Sequence, residues 1–221
     1  MSEQSNPVTR EHFAYLAART TQEDDFLREL KDAARSEEIP SIWIAPEQAA
    51  LMQILLRLAK AHEVVEVGTL AGYSAICMAR ALPPGGHVHT IEIDPVHAAF
   101  AEKWIARSDV SERITVHRGK GNEVLARFAE NSFDAAFLDA DKKSYVDYLS
   151  QCLRLVRNGG LIMADNAFAF GQLFEGQPTD PEAPAIRAFN DHMATVDALQ
   201  RIIVPIGDGL WVGVKLNQAV A

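Results

Sequence analysis

The chain has 221 residues, 48% apolar and 23% charged, the length and composition of one soluble globular domain with a sizeable core. A net charge of −9 and a pI near 5.2 exclude nucleic acid or an anionic membrane as the main partner. Cys77 and Cys152 sit in apolar helical patterns as inert core thiols, no Cys/His cluster has zinc spacing, and no signal peptide or bilayer-length apolar run is seen, so the cytoplasm is expected.

Residues 1–39 open polar and then place Phe13, Leu16, Ala17, Phe26, Leu27, Leu30 and Ala34 near helical spacing. This predicts one or two helices laid over the domain, with the acidic run 22–25 as a solvated helix start and a lid or dimer contact as the functional alternative. Pro40 and Pro46 bound an extended connector, because residues before proline avoid the helical region. Trp43 and Ile44 on it either plug the core edge or line a planar ligand. Ala50, Leu51, Ile54, Leu55 and Leu58 mark residues 47–60 as a core-facing helix.

Val64-Val-Glu-Val-Gly-Thr-Leu-Ala-Gly-Tyr-Ser74 follows, a buried strand passing through a Gly-rich turn into a helix over 74–82. Such a turn brings ligand close to backbone and offers the unpaired N–H groups of a helix start. It lacks the G-x-G-x-x-G spacing of dinucleotide sites. Glu66, just before the first glycine, would repel a diphosphate and suits a ligand with a cationic amino group. After the turn at 83–86, alternation and β-branching make 87–94 a strand. Glu92 at its end, 26 positions after Glu66, is placed to accept hydrogen bonds from ribose hydroxyls. Asp94 before Pro95 reads as a helix cap.

The pattern continues as helix 95–107, strand 113–117, a turn at 119–121 into another helix, and strand 133–139. Helix 145–156 with a stop at 158–160, strand 160–165 and a hairpin of 199–206 with 210–216 complete it. Alternating strands and helices imply a parallel α/β sheet with right-handed crossovers, whose ligands gather at the carboxyl ends of the strands. That rule puts Gly68, Glu92, Gly121, Asp139 and Asp165 on one rim. Two strands there end in acids, Asp139-Ala-Asp141-Lys142 and Asp165-Asn166. Three carboxylates and a carboxamide at one rim repel unless a cation sits among them, and oxygen-only donors suit a hard divalent ion. A single such acid would read as a helix cap; the matched pair favours the metal.

These motifs, together with Ala45-Pro-Glu-Gln48, Thr90-Ile-Glu-Ile-Asp94 and Gly207-Asp-Gly-Leu210, make the chain resemble the cation-dependent, S-adenosylmethionine-dependent O-methyltransferases of caffeoyl-CoA and catechol type, from about Ile42 to the C-terminus. The resemblance implies a Rossmann-like class I methyltransferase fold, a mostly parallel seven-stranded sheet with a C-terminal antiparallel hairpin and helices on both faces. Residues 1–40 would be a helical extension and 41–221 the methyltransferase domain. It sets Glu66 on the methionine amino group, with Gly68, Thr69, Ser74 and the backbone of Ile44 at the same end. Glu92 falls on the ribose, Gly121 beside the adenine, and Asp139 and Asp141 on the cofactor side. Asp139, Asp165 and Asn166 match the metal ligands, for Mg²⁺ first and Mn²⁺ or Ca²⁺ as alternatives. Lys142 matches the general base, with Lys143 beside it as the competitor.

A divalent ion that binds both oxygens of a vicinal diol lowers the first hydroxyl pKa and fixes the geometry, which an in-line methyl displacement needs. The implied reaction is therefore methyl transfer from S-adenosylmethionine to a small catechol-like aromatic, by a homodimer. A non-catechol hydroxyl acceptor, a non-catalytic cofactor binder and a nucleotide oxidoreductase are the alternatives, the last disfavoured by the missing glycine fingerprint. One stretch departs from the family pattern. The loop 167–178 is long, Phe-rich and without Trp. Its phenylalanines either stack an aromatic acceptor or form a subunit contact.

Overall fold

The computed structural model describes residues 8–217. Strands β1 (Glu63–Val67), β2 (His87–Glu92), β3 (Ile114–Arg118), β4 (Phe133–Leu138), β5 (Val156–Ala164), β6 (Leu199–Val204) and β7 (Leu210–Lys215) form one seven-stranded sheet in the order β3-β2-β1-β4-β5-β7-β6. The first five strands are parallel; β7 runs antiparallel to both β5 and β6. The strand order reverses between β1 and β4, where Val67 pairs with Leu138, so a crevice opens beyond these two strand ends.

The period-2 pattern decides which layer each side chain joins. Val64, Val88, Ala135, Phe137, Leu161 and Met163 face one side, where α2 (Asp25–Ser36), α3 (Pro46–Leu58), α4 (Tyr73–Ala81) and α5 (Pro95–Ile105) cover them. Val65, Ile91, Ala136, Leu138 and Ile162 face the other, under α6 (Gly121–Leu125), α7 (Tyr145–Leu155) and α8 (Ala183–Thr195). The N-terminal apolar residues divide between α1 (Arg10–Ala17), which buries none of its side chains, and α2. Asp24 caps α2 by accepting from Leu27 N at 2.9 Å, and Leu27, Leu30 and Ala34 then enter the core. Cys77 and Cys152 are buried and free, and burial pushes each thiol up to about 12, which suits inert core positions. No described helix is long and apolar enough to cross a membrane.

Three elements depart from the sequence expectation. Helix α3 buries Gln48, Ala49, Met52 and Leu56 and not the stripe read from sequence, of which Leu51 and Leu55 are partly buried and Ile54 and Leu58 are exposed. The glycines at 159 and 160 are not a helix stop: α7 already ends at Leu155, and Val156 pairs with Phe133 as the start of β5. The β4–β5 register shifts between Phe133 and Ala135, Gly159 takes φ +75°, and a Cβ on Gly160 would lie 2.6 Å from Asp134 O. The pair is a bulge inside a strand. Helix α8 has no counterpart in the sequence reading, although its buried Ile186, Phe189 and Met193 recur at helical spacing.

The N-terminal half of the sheet carries a histidine stack away from the crevice. His89 stacks on His117 with Nδ1 and Nε2 2.9 Å apart, the His87 ring lies tilted with its centroid 4.8 Å from that of His89, and His89 Nε2 is 3.4 Å from Glu63 Oε2. Burial first, then His87 and His117, lowers His89 from 6.5 to about 4. Between these values the unfolded chain binds a proton that the folded chain refuses, so stability present above pH 6.5 is lost as pH falls toward 4. The melting temperature is accordingly expected to drop between pH 7 and 4.5, with a shallower drop in His89→Gln. Superimposable pH curves for the two proteins would clear His89 of the effect.

Candidate functional site

A cavity of about 890 Å³ occupies the crevice at the carboxyl ends of the strands. Its wall brings together Ile44, Gly68, Glu92, Gly121, Asp139, Asp141, Lys142, Asp165 and Asn166 from separate loops. A smaller recess adjoins it, lined by Ile42, Trp43, Ile44, Gly68 and Thr69 together with Tyr73 and Ser74 at the start of α4. Trp43 and Ile44 thus serve both readings offered for them: Ile44 is core, Trp43 packs on it, and both face the cavity.

At the β1 end, Glu66 is fully buried and stands outside the cavity lining proper. Its Oε2 accepts from Thr90 Oγ1 at 2.6 Å, while Oε1 has no hydrogen-bond partner among the described residues. Burial pushes its carboxyl up to about 8, opposed by hydrogen bonds from Ser74 and Thr90 and reinforced by Asp139 and Glu92. An orphaned carboxylate oxygen among other acids is the environment a cationic amino group would satisfy. Glu92 is more committed than the sequence implied. Its Oε2 accepts from Thr69 N (3.2 Å) and Leu70 N (2.8 Å), and Oε1 from Asp94 N (2.9 Å). It shapes the β1–α4 turn and at the same time lines the cavity. Asp94 caps α5, accepting from Val96 N and His97 N.

Glycines keep this end open. Gly68 has φ +103°, and a Cβ there would collide with Asp139 O; a Cβ on Gly121 would lie 2.6 Å from the Tyr148 ring. Tyr148 OH donates to Asp141 at 2.7 Å, so Asp141 is held at the cavity edge from α7. Together the orphaned Glu66 oxygen and this glycine-lined space fit a nucleoside carrying an amino acid.

At the β4 and β5 ends the acids meet. Asp165 is 6% exposed, and burial followed by the charge of Asp139 raises its carboxyl to about 7. Gln48 Nε2, buried on α3, donates to Asp165 Oδ1 at 2.8 Å. Asn166 takes φ +66° and donates Nδ2 to Asp208 Oδ2 at 3.1 Å, which leaves its Oδ1 as the free acceptor. Lys142 is 5% exposed, its Nζ donating to Asp139 Oδ1 (3.1 Å) and Tyr145 OH (2.7 Å), and its backbone N to Glu182 Oε1. Lys143 is exposed, which removes it as the competitor. Among the described residues no group of three His, Cys, Asp or Glu side chains is set to hold a metal. The oxygen donors at this rim are two carboxylates and one carboxamide, a set that fits a hard divalent ion completing its shell with water or substrate oxygens.

Several supporting residues had no role assigned from sequence, although Gln48 and Asp208 fall inside motifs quoted for the resemblance. Gln48, Glu182 and Asp208 hold the rim from distant segments, and Tyr145 from three positions after Lys142. Asp208, in the β6–β7 turn, also accepts from Phe170 N (2.7 Å) and Gly171 N (3.2 Å), pinning a loop in which Asn166, Ala169 and Phe170 all have positive φ. Phe170 lines the cavity, Phe168 packs on Gly209, and Phe174 is 95% exposed.

A family model described as O-methyltransferase matches residues 17–216. The catechol O-methyltransferase of Niastella koreensis is 37% identical over 90% of this chain and 89% of its own length. That of Mycobacterium tuberculosis is 33% identical over 85% and 84%. The O-methyltransferase of Bacillus cereus, solved in complex with S-adenosylhomocysteine, superposes with a TM-score of 0.83 at 28% identity, covering 92% of this chain and 96% of that one. The sheet is therefore the class I methyltransferase sheet, and the chain belongs to the O-methyltransferase family, as an S-adenosylmethionine-dependent O-methyltransferase.

Proposed function

We propose that the enzyme depends on a divalent cation and methylates one hydroxyl of a small catechol-like aromatic. The observation that carries this reading is the shared rim on which Asp139, Asp165, Asn166 Oδ1 and Lys142 meet beside the Glu66 end of the cavity. The names of the Niastella and Mycobacterium relatives point to the same acceptor class. In this reading Glu66 takes the methionine amino group, with Gly68, Thr69, Ser74 and the Ile44 backbone around it; Glu92 takes the ribose, and Gly121 and Asp141 flank the base. S-adenosylmethionine supplies the methyl group on its sulfonium. Asp139, Asp165 and Asn166 would hold the cation, Mg²⁺ first, which when bound stabilises a hydroxyl oxygen in its deprotonated form.

The chain's own work is positioning and proton transfer. In its neutral form Lys142 Nζ has a lone pair for the acceptor hydroxyl proton, and Asp139 and Tyr145 stabilise the ammonium that results. Tyr145 OH donates onward to Leu138 O at 3.1 Å, so its lone pairs face Nζ. Lys142→Met is expected to lower kcat by about 10²–10⁴-fold, less at high pH where the acceptor ionises unaided, while Lys143→Met stays near the parent. A deficit independent of pH would leave Lys142 only a positioning role. Ile54 and Leu58 leave an exposed apolar strip on α3, which supports the homodimer as part of the same proposal.

The test is transfer of labelled methyl from S-adenosylmethionine to a panel of catechols and single phenols, with Mg²⁺ and with chelator. Transfer to catechols that the chelator abolishes is the expected result. Chelator-resistant transfer would remove the cation. Cofactor binding without catechol turnover would move the acceptor to another hydroxyl class, with Phe170, which lines the cavity from a loop of positive-φ residues, as the first part of the wall to vary.

A further inference from the structure

Eight carboxylates lie in or against the cavity, and they fit the cationic amino and sulfonium groups of the cofactor; none fits its carboxylate. Two lysines line the same cavity. Lys142 is committed to Asp139 and Tyr145 at the far rim. The other is Lys31, from the apolar face of α2, a position where a charge is costly unless it is used. It is 6% exposed, and its Nζ lies 4.2 Å from the Tyr73 ring centroid and 5.5 Å from that of Trp43. Both rings are walls of the small recess that also contains Gly68, Thr69 and Ser74. Among the described residues its one hydrogen-bonded partner is Glu23, which leaves two of the three ammonium protons uncommitted there.

We propose that Lys31 is a cofactor-binding residue that supplies the positive charge for the methionine carboxylate, with Glu23 as the internal counter-ion that holds the ammonium in place and competes with that carboxylate. The proposal rests on the cofactor placement above, with the amino acid end in the recess. It gives α2 a function beyond core packing: the helix carries the cation that a strongly acidic cavity otherwise lacks at that end. The two aromatic rings that wall the recess hold the ammonium beside it through cation–π contact, so it is ordered before ligand arrives.

Calorimetry with two ligands tests it: S-adenosylhomocysteine, which keeps the carboxylate, and its decarboxylated analogue, which keeps the amino group and the nucleoside. Lys31→Met is expected to weaken S-adenosylhomocysteine roughly tenfold or more, the loss of one charge-assisted contact, and the analogue by less than about twofold. Lys31→Arg should retain most of the affinity. Glu23→Gln, which removes the competing acid, should tighten S-adenosylhomocysteine and leave the analogue unchanged. Equal losses on both ligands in Lys31→Met, or an unchanged S-adenosylhomocysteine affinity in Glu23→Gln, would overturn the assignment while the cofactor placement stands. Failure of the unsubstituted enzyme to prefer S-adenosylhomocysteine over the analogue would overturn the placement of the amino acid end and this assignment with it.

Discussion

Asp165→Ala is expected to reduce methyl transfer by roughly a thousandfold at saturating substrates, the several kcal/mol that a bound cation contributes to charge stabilisation. The affinity for S-adenosylhomocysteine should change by less than about twofold, since the substituted side chain shares no partner with Glu66 or Glu92. Asp165 sits at the end of β5 with Gln48 as its only hydrogen-bonded side-chain partner among the described residues, and the charge of Asp139 works against its ionisation. A buried acid held in that position without a salt-bridge partner is poor structural design and good ligand design. Removing it relieves repulsion, so the melting temperature should hold. Kinetics under a Mg²⁺ titration, calorimetry and thermal melts of the same preparation separate the possibilities. Full activity of the variant in excess Mg²⁺ would sink the metal assignment; a large fall in melting temperature would make Asp165 a structural residue.

The second large effect is on the fold. Gly68→Ala is expected to cost about 3–5 kcal/mol, a sum of overpacking and left-handed backbone strain and a sizeable share of a domain's net stability. Gly68 ends β1 at φ +103°, its N–H donates to Ile91 O at 3.0 Å, and the space for a Cβ is filled by the backbone of Asp139. Because the obstacle is main chain of the neighbouring strand, no side chain can move aside. Gly176→Ala is the control, since nothing lies within 4 Å of a Cβ there and the stability should stay within about 0.5 kcal/mol. Urea denaturation of both variants measures the contrast. Near-parent stability of Gly68→Ala would mean that β1 and β4 separate more readily than their close approach implies.

Of the candidate site residues, those at strand ends line one cavity because a parallel sheet aligns strand ends whatever the loops do. Val67, Glu92, Leu138 and Ala164 are last in their strands, and Gly68, Asp139 and Asp165 follow directly. The hydrogen-bond partners of those residues were not legible. Gln48 reaches Asp165 across 117 positions and Asp208 reaches Asn166 across 42, and nothing in local periodicity relates segments so far apart. The glycines at 159 and 160 show the converse failure: the same residues terminate helices and make bulges, and only pairing to β4 selects the bulge. The apolar spacing of α8 is itself legible, but it stands between a polar loop and a turn-rich hairpin that carry stronger local signals.

By itself the sequence determined the order of the strands and of the helices other than α8, the strand-end acids and the glycine turn, since alternation, β-branching and Gly–Pro punctuation are local and survive in any context. The tertiary structure alone decided that Lys31 enters the cavity while its neighbours on α2 enter the core, that Lys142 and not Lys143 reaches Asp139, and that Glu92 is bound into the β1–α4 turn. These outcomes depend on which side of a helix or loop meets the sheet. That is set by packing against residues more than 20 positions away, and a buried charge finds its partner only once those surfaces have closed around it.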